Sequence, residues 1–93
     1  MAVTVRIPNY LAGFAEGKSA ILVAGPPSDT RGVLDSLWRL HPALRDRIVD
    51  EQGEVRQHIN IFVGNECIRF AEGLATAVPD GSEVMIVPAV SGG

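Results

Sequence analysis

A chain of 93 residues holds one domain and leaves no room for a second. Its net charge of −3 argues against nucleic acid, which asks for a basic patch, and no apolar run approaches the roughly 18 residues of a membrane span. The opening MAVTVRIP has neither a basic n-region nor a long apolar stretch, so no secretory signal is read and the chain is expected in the cytoplasm. One cysteine, Cys67, excludes an internal disulfide and reads as a half-buried thiol. With only His41 and His58 beside it, no metal-ligand spacing is present, and no metal is expected.

Val3, Val5 and Ile7 alternate with Thr4 and Arg6, the two-residue period of a half-buried strand that Pro8 ends. Residues 9–17 show no clean period and read as a loop. Lys18 to Ala24 reads as a second strand, making a hairpin with the first. GPPSDT at 25–30 is strong punctuation, and Ser28, Asp29 or Thr30 is placed to cap a helix. From there Val33, Leu34, Leu37, Trp38 and Leu40 recur at helical spacing. Pro42 disfavours helical geometry in the residue before it, so the helix should stop near His41. Residues 43–49 suit another helical turn or two, and EQGE at 51–54 is a polar turn.

HINIFV (58–63) alternates again, with Ile59, Ile61 and Val63 on one face and Asn60 and Phe62 on the other. Gly64 and Asn65 both tolerate positive φ and suit a tight hairpin turn, with ECIRF (66–70) as the return strand. Residues 72–78 cross over with about one helical turn, Asp80-Gly81 turns, and EVMIV (83–87) is the last strand. His41 and His58 lie beside element ends, where exposed or capping roles are expected.

The order β β α β β β, with one substantial helix, gives an α+β domain. A mixed sheet of about five strands covers one face with the single long helix, which is the β-grasp arrangement of ubiquitin. The domain is read as residues 1–88, with 89–93 as a flexible tail. No nucleotide-binding, metalloprotease or nucleophile–base pattern is present, so no enzyme is read.

Two features are left over. If Ile59, Ile61, Val84 and Ile86 face the helix, then Phe62, Met85 and Val87 face away, and nothing in the chain remains to cover them. The second is the terminus, Val90-Ser91-Gly92-Gly93. Glycine has no Cβ, so two in succession pass through a narrow channel and leave the last carboxylate sterically bare. Such an arm beyond a docking surface suits activation inside another protein's active site.

HINIFVGNECIRF (58–70), GLATAVPDGSEVMIVPAVSGG (73–93) and, more weakly, VTVRIP (3–8) resemble the ubiquitin-like sulfur carrier proteins. That family includes the small subunit of molybdopterin synthase and the carriers of thiamine and cysteine synthesis. The long segment 41–57, the R-F-x-x-G-L-A-T-A run and the P-A-V-S-G-G ending look most like the cysteine-synthesis branch. Cys67 stands where a polar residue is expected, and Gly64-Asn65 reverses the more usual order.

The resemblance implies no bound cofactor. It implies that a ubiquitin-activating-type adenylating enzyme uses ATP to join AMP to the Gly93 carboxylate, and that a sulfur donor then leaves a covalent thiocarboxylate there. Gly92, Ser91 and Val90 become the arm inside the partner, and Phe62, Met85 and Val87 the docking surface. The acceptor would be a pyridoxal-phosphate cysteine synthase or another thio-metabolite synthase, with a metal-dependent peptidase as a further partner and no nucleic acid or membrane. The carrier alone is expected as a monomer. A molybdopterin synthase small subunit, a ubiquitin-like modifier and a plain binding module stay open, because the first two need the same tail and activation.

Overall fold

The computed structural model describes residues 2–24 and 29–88. Five strands run β1 (Ala2–Arg6), β2 (Ala20–Ala24), β3 (Ile59–Val63), β4 (Glu66–Cys67) and β5 (Glu83–Pro88), with helices α1 (Thr30–Leu40) and α2 (Arg45–Ile48) between β2 and β3. They form one sheet in the order β2-β1-β5-β3-β4. Only β1 and β5 are parallel; the other pairs are antiparallel, so the sheet is mixed as expected. The last strand thus sits at the centre of the sheet.

The two-residue period divides the sheet cleanly. Val3, Val5, Ile21, Val23, Ile59, Ile61, Val84 and Ile86 are all buried on one face. Val33, Leu34 and Leu37 of α1 complete that core, with Trp38 packed on its margin. Asp29 is the residue that caps α1: its Oδ1 accepts from the Gly32 N–H at 2.8 Å. A cap of this kind contributes about 1 kcal/mol. The same helix start is tied to the chain before β5. Both the N–H and the Oγ1 of the buried Thr30 donate to the Thr76 carbonyl, at 2.9 and 3.0 Å.

Several elements depart from the expected ones. Residues 9–17, expected as a loop, hold a 3₁₀ helix over Asn9–Ala15, because Leu11 and Ala15 turn inward and close the core beside β1. The second strand starts at Ala20, two residues late, after Glu16 and Gly17 take positive φ to reverse the chain. The return strand over 66–70 shrinks to two residues. Ile68 is pulled into the core, and the chain coils into a 3₁₀ turn, Ile68–Phe70, that leaves Phe70 in solvent. At the β3–β4 turn only Gly64 takes positive φ, not Asn65. Leu40, counted with the apolar stripe, lies outside the core beside β2. His41 is the C-terminal cap residue of α1, its N–H donating to the Leu37 carbonyl at 2.8 Å, but it is buried and not exposed; it lies under the chain reversal at residues 16–17, with Nδ1 3.8 Å from Glu16 Oε2. His58 is exposed.

Candidate functional site

The face of the sheet away from α1 is built by the alternate residues of the same strands. Phe62 on β3 lies directly opposite Met85 on β5, and Asn60 lies opposite Val87. These are cross-strand neighbours whose side chains share a face, so Phe62 and Met85 stand side by side and Val87 continues the row toward the end of β5. Met85 is exposed, while Phe62 and Val87 are half-buried by their neighbours. The expected three residues are therefore brought together, as a low apolar ridge more than as three free side chains.

Two further contributions to this face were not picked out from the sequence. Cys67 is the register partner of Phe62 across the β3–β4 hairpin, so its half-buried thiol lies on the same side. The hairpin itself was legible, and aligning Phe62 with Cys67 across Gly64-Asn65 would have found it. On the other flank, Arg6 of β1 lies beside Met85 and pairs with Glu83, Nε to Oε2 at 2.6 Å. Both partners are about half exposed, so the pair adds little stability and sets a polar rim to the ridge. That contact links residues 77 apart in sequence, and only the parallel β1–β5 pairing creates it.

Where β5 ends, Arg6, Pro8, Asn9, Met85 and Val87 surround a shallow cavity of about 230 Å³. The arm expected in the sequence, Val90 to Gly93, lies outside the described residues. Among the described residues no cluster of His, Cys, Asp or Glu is placed to hold a metal, and no helix is long and apolar enough to cross a membrane. The face offers apolar contact with a polar edge and no acid–base pair.

The ThiS family model matches residues 5–93, nearly the whole chain. The chain belongs to the ThiS family. The sulfur carrier protein CysO of Mycobacterium tuberculosis is 38% identical over 96 aligned positions that cover all of both chains. Among solved structures, the Amycolatopsis orientalis BexX/CysO complex contains a chain that superposes with a TM-score of 0.86 at 33% identity, over 99% of this chain and 100% of that one. Small archaeal modifier protein 1 of Haloferax volcanii superposes at 0.81 with 28% identity, over 96% and 98%. The expected ubiquitin-like β-grasp fold is therefore the fold of this ThiS member. Its full-length curated relatives are sulfur carrier proteins, small ubiquitin-like carriers rather than catalysts, and this chain is of that kind.

Proposed function

We propose that this protein carries sulfur as a thiocarboxylate on Gly93 and hands it to an enzyme that builds cysteine or another sulfur-containing metabolite. The observation that carries the reading is the continuity of the family match through residue 93, together with full-length likeness to a sulfur carrier protein. A carboxylate is a poor electrophile at neutral pH. Attack of the Gly93 carboxylate on the α-phosphate of ATP, in a ubiquitin-activating-type enzyme, releases pyrophosphate and leaves an acyl-adenylate. A sulfur donor then displaces AMP, and the carbonyl carbon gains sulfur in place of the departing phosphate oxygen. The product keeps sulfide nucleophilic yet bound.

The chain's own contribution is positional. The ridge of Phe62, Met85 and Val87 docks the domain. The last five residues span at most about 18 Å when extended, which sets how deep the partner's reactive centre lies beyond Pro88. Gly92 and Gly93 present no side chain to the walls of that channel, and Ser91 and Val90 lie at its mouth. The solved complex of a related CysO with BexX supports docking to a partner enzyme. A pyridoxal-phosphate synthase fits the acceptor, since a bound amino-acrylate takes a sulfur nucleophile, and a metal-dependent peptidase would free the product. The likeness to a small archaeal modifier protein favours a second reading, in which the activated Gly93 forms isopeptide bonds with lysines.

Intact mass separates the two. The chain with its native terminus is incubated with a related activating enzyme, ATP and a sulfide donor. Exchange of one oxygen for sulfur, confined to the C-terminal fragment, is the result expected. Conjugates on lysine with no such exchange would replace the carrier reading by the modifier one.

A further inference from the structure

The sheet has two edges, and they are finished differently. At the β4 edge the strand is two residues long, and the chain beyond it coils away. The exposed stretch of β3 next to it is covered: the Ile59 N–H donates to the Arg56 carbonyl at 3.0 Å, and Arg69 Nη2 reaches the Ile59 carbonyl at 3.4 Å. Short edge strands and covered backbone are how proteins blunt an edge.

Among the described residues the β2 edge has neither device. The Ile7 N–H donates to the Ser19 carbonyl, and the β1–β2 register continues from there through Ile21 and Val23. Alternation of the antiparallel ladder therefore turns the N–H and C=O groups of Ala20, Leu22 and Ala24 outward. Among the described residues no strand follows β2 in the sheet. The strand reads AILVA, with no charge, proline or bulge in it. Beside it, between the edge and the end of α1, lie two neighbouring hollows of about 430 and 270 Å³ that form a groove, and Leu22 and Leu40 line both. These leucines are 65% and 52% exposed, among the most exposed large apolar residues described. Glu16, Lys18, Arg39 and His41 surround the groove. Glu16 faces His41, while neither Lys18 nor Arg39 has an ion-pair partner among the described residues. The local sign is thus positive on a chain whose net charge is −3.

From these observations we infer that β2 accepts an extended segment of a partner protein as a sixth strand, and that this segment is a short run of consecutive apolar residues flanked by acidic ones. Backbone pairing with Ala20, Leu22 and Ala24 supplies the register. A paired strand sends its side chains alternately to the two faces. One set meets Leu22 on the face away from α1, and the other enters the groove against Leu40. An apolar run fits this better than an alternating sequence, because both sides offer a leucine. Lys18 and Arg39 select carboxylates at its ends. The edge lies two strands from β5, about 10 Å at ordinary strand spacing, so a strand held here is separate from the row of Phe62, Met85 and Val87.

The test titrates the full-length isotope-labelled chain with the capped peptide Asp-Glu-Val-Ile-Val-Asp-Glu and follows amide exchange by NMR. Exchange at Ala20, Leu22 and Ala24 is expected to slow at least about tenfold at saturation, while Ile21 and Val23, already paired, change little. The double variant Lys18→Glu, Arg39→Glu should weaken binding about tenfold, on the scale of two reversed charge contacts. Its unliganded spectrum, matching the parent's outside those positions, reports that it is folded. Three results would overturn the inference. The peptide could leave the three amides unprotected. A version with lysine flanks could bind equally well. The same amides could become protected with rising protein concentration alone and not respond to the peptide, which would make a second copy the occupant.

Discussion

Strand β5 shows two fates of an apolar side chain within four residues. Val84 and Ile86 are fully buried against the helix, while Met85 and Val87, their sequence neighbours, line the opposite face. The residues are similar in size and hydropathy. What separates them is parity alone, and parity was fixed by which face α1 covers. The first pair is consumed by folding, and the second is the pair proposed above to meet a partner.

That comparison predicts a ladder of effects. Deleting Gly93, or adding a residue after it, should abolish sulfur loading in the mass assay and leave the melting temperature unchanged. Normal loading of either variant would remove Gly93 from its proposed role. Ile86→Ala should destabilise the domain by about 2–5 kcal/mol, measured by urea unfolding, since the removed atoms leave a cavity between α1 and the sheet. Phe62→Asp should weaken association with the activating enzyme by about tenfold or more, because a carboxylate in an apolar contact loses its hydration. Calorimetry showing unchanged affinity would mean that docking uses another surface. Met85→Ala should be mildest, costing under about 1 kcal/mol of stability and a few-fold in affinity. A loss as large as that of Ile86→Ala would show that the outer face is also structural.

The motif G-L-x-T at 73–76 joins the legible and the illegible parts. As a string it points to a family and no more. In the fold, Gly73 takes φ +58 to start the turn. The buried Thr76 then receives two hydrogen bonds from Thr30 on its carbonyl and caps the Glu72 N–H with Oγ1 at 3.1 Å. Its role spans 46 residues of sequence, which no local pattern reports. The shortened β4 failed for a related reason. ECIRF has strand-like alternation, but its Ile68 and Phe70 would then share a face, and only Ile68 finds room in the core. His41 escaped because a residue beside a proline at a helix end reads as surface, and only the packing of residues 9–17 over it makes it interior.

Read alone, the sequence determined the order of the strands and the main helix, the faces of β1, β3 and β5, the start of the helix with three candidates for its cap, and the Gly-Gly terminus. Each of these is written in a period of two or 3.6 residues, or in the φ preferences of glycine and proline, and such signals act within a few residues. Tertiary structure alone decided that β5 runs beside β1, that Arg6 meets Glu83 at the rim of the ridge, that Cys67 joins Phe62, and that β2 ends the sheet among the described residues. These depend on strand pairing between distant segments, where the chain's free energy is a sum over the whole core and no short stretch carries the answer.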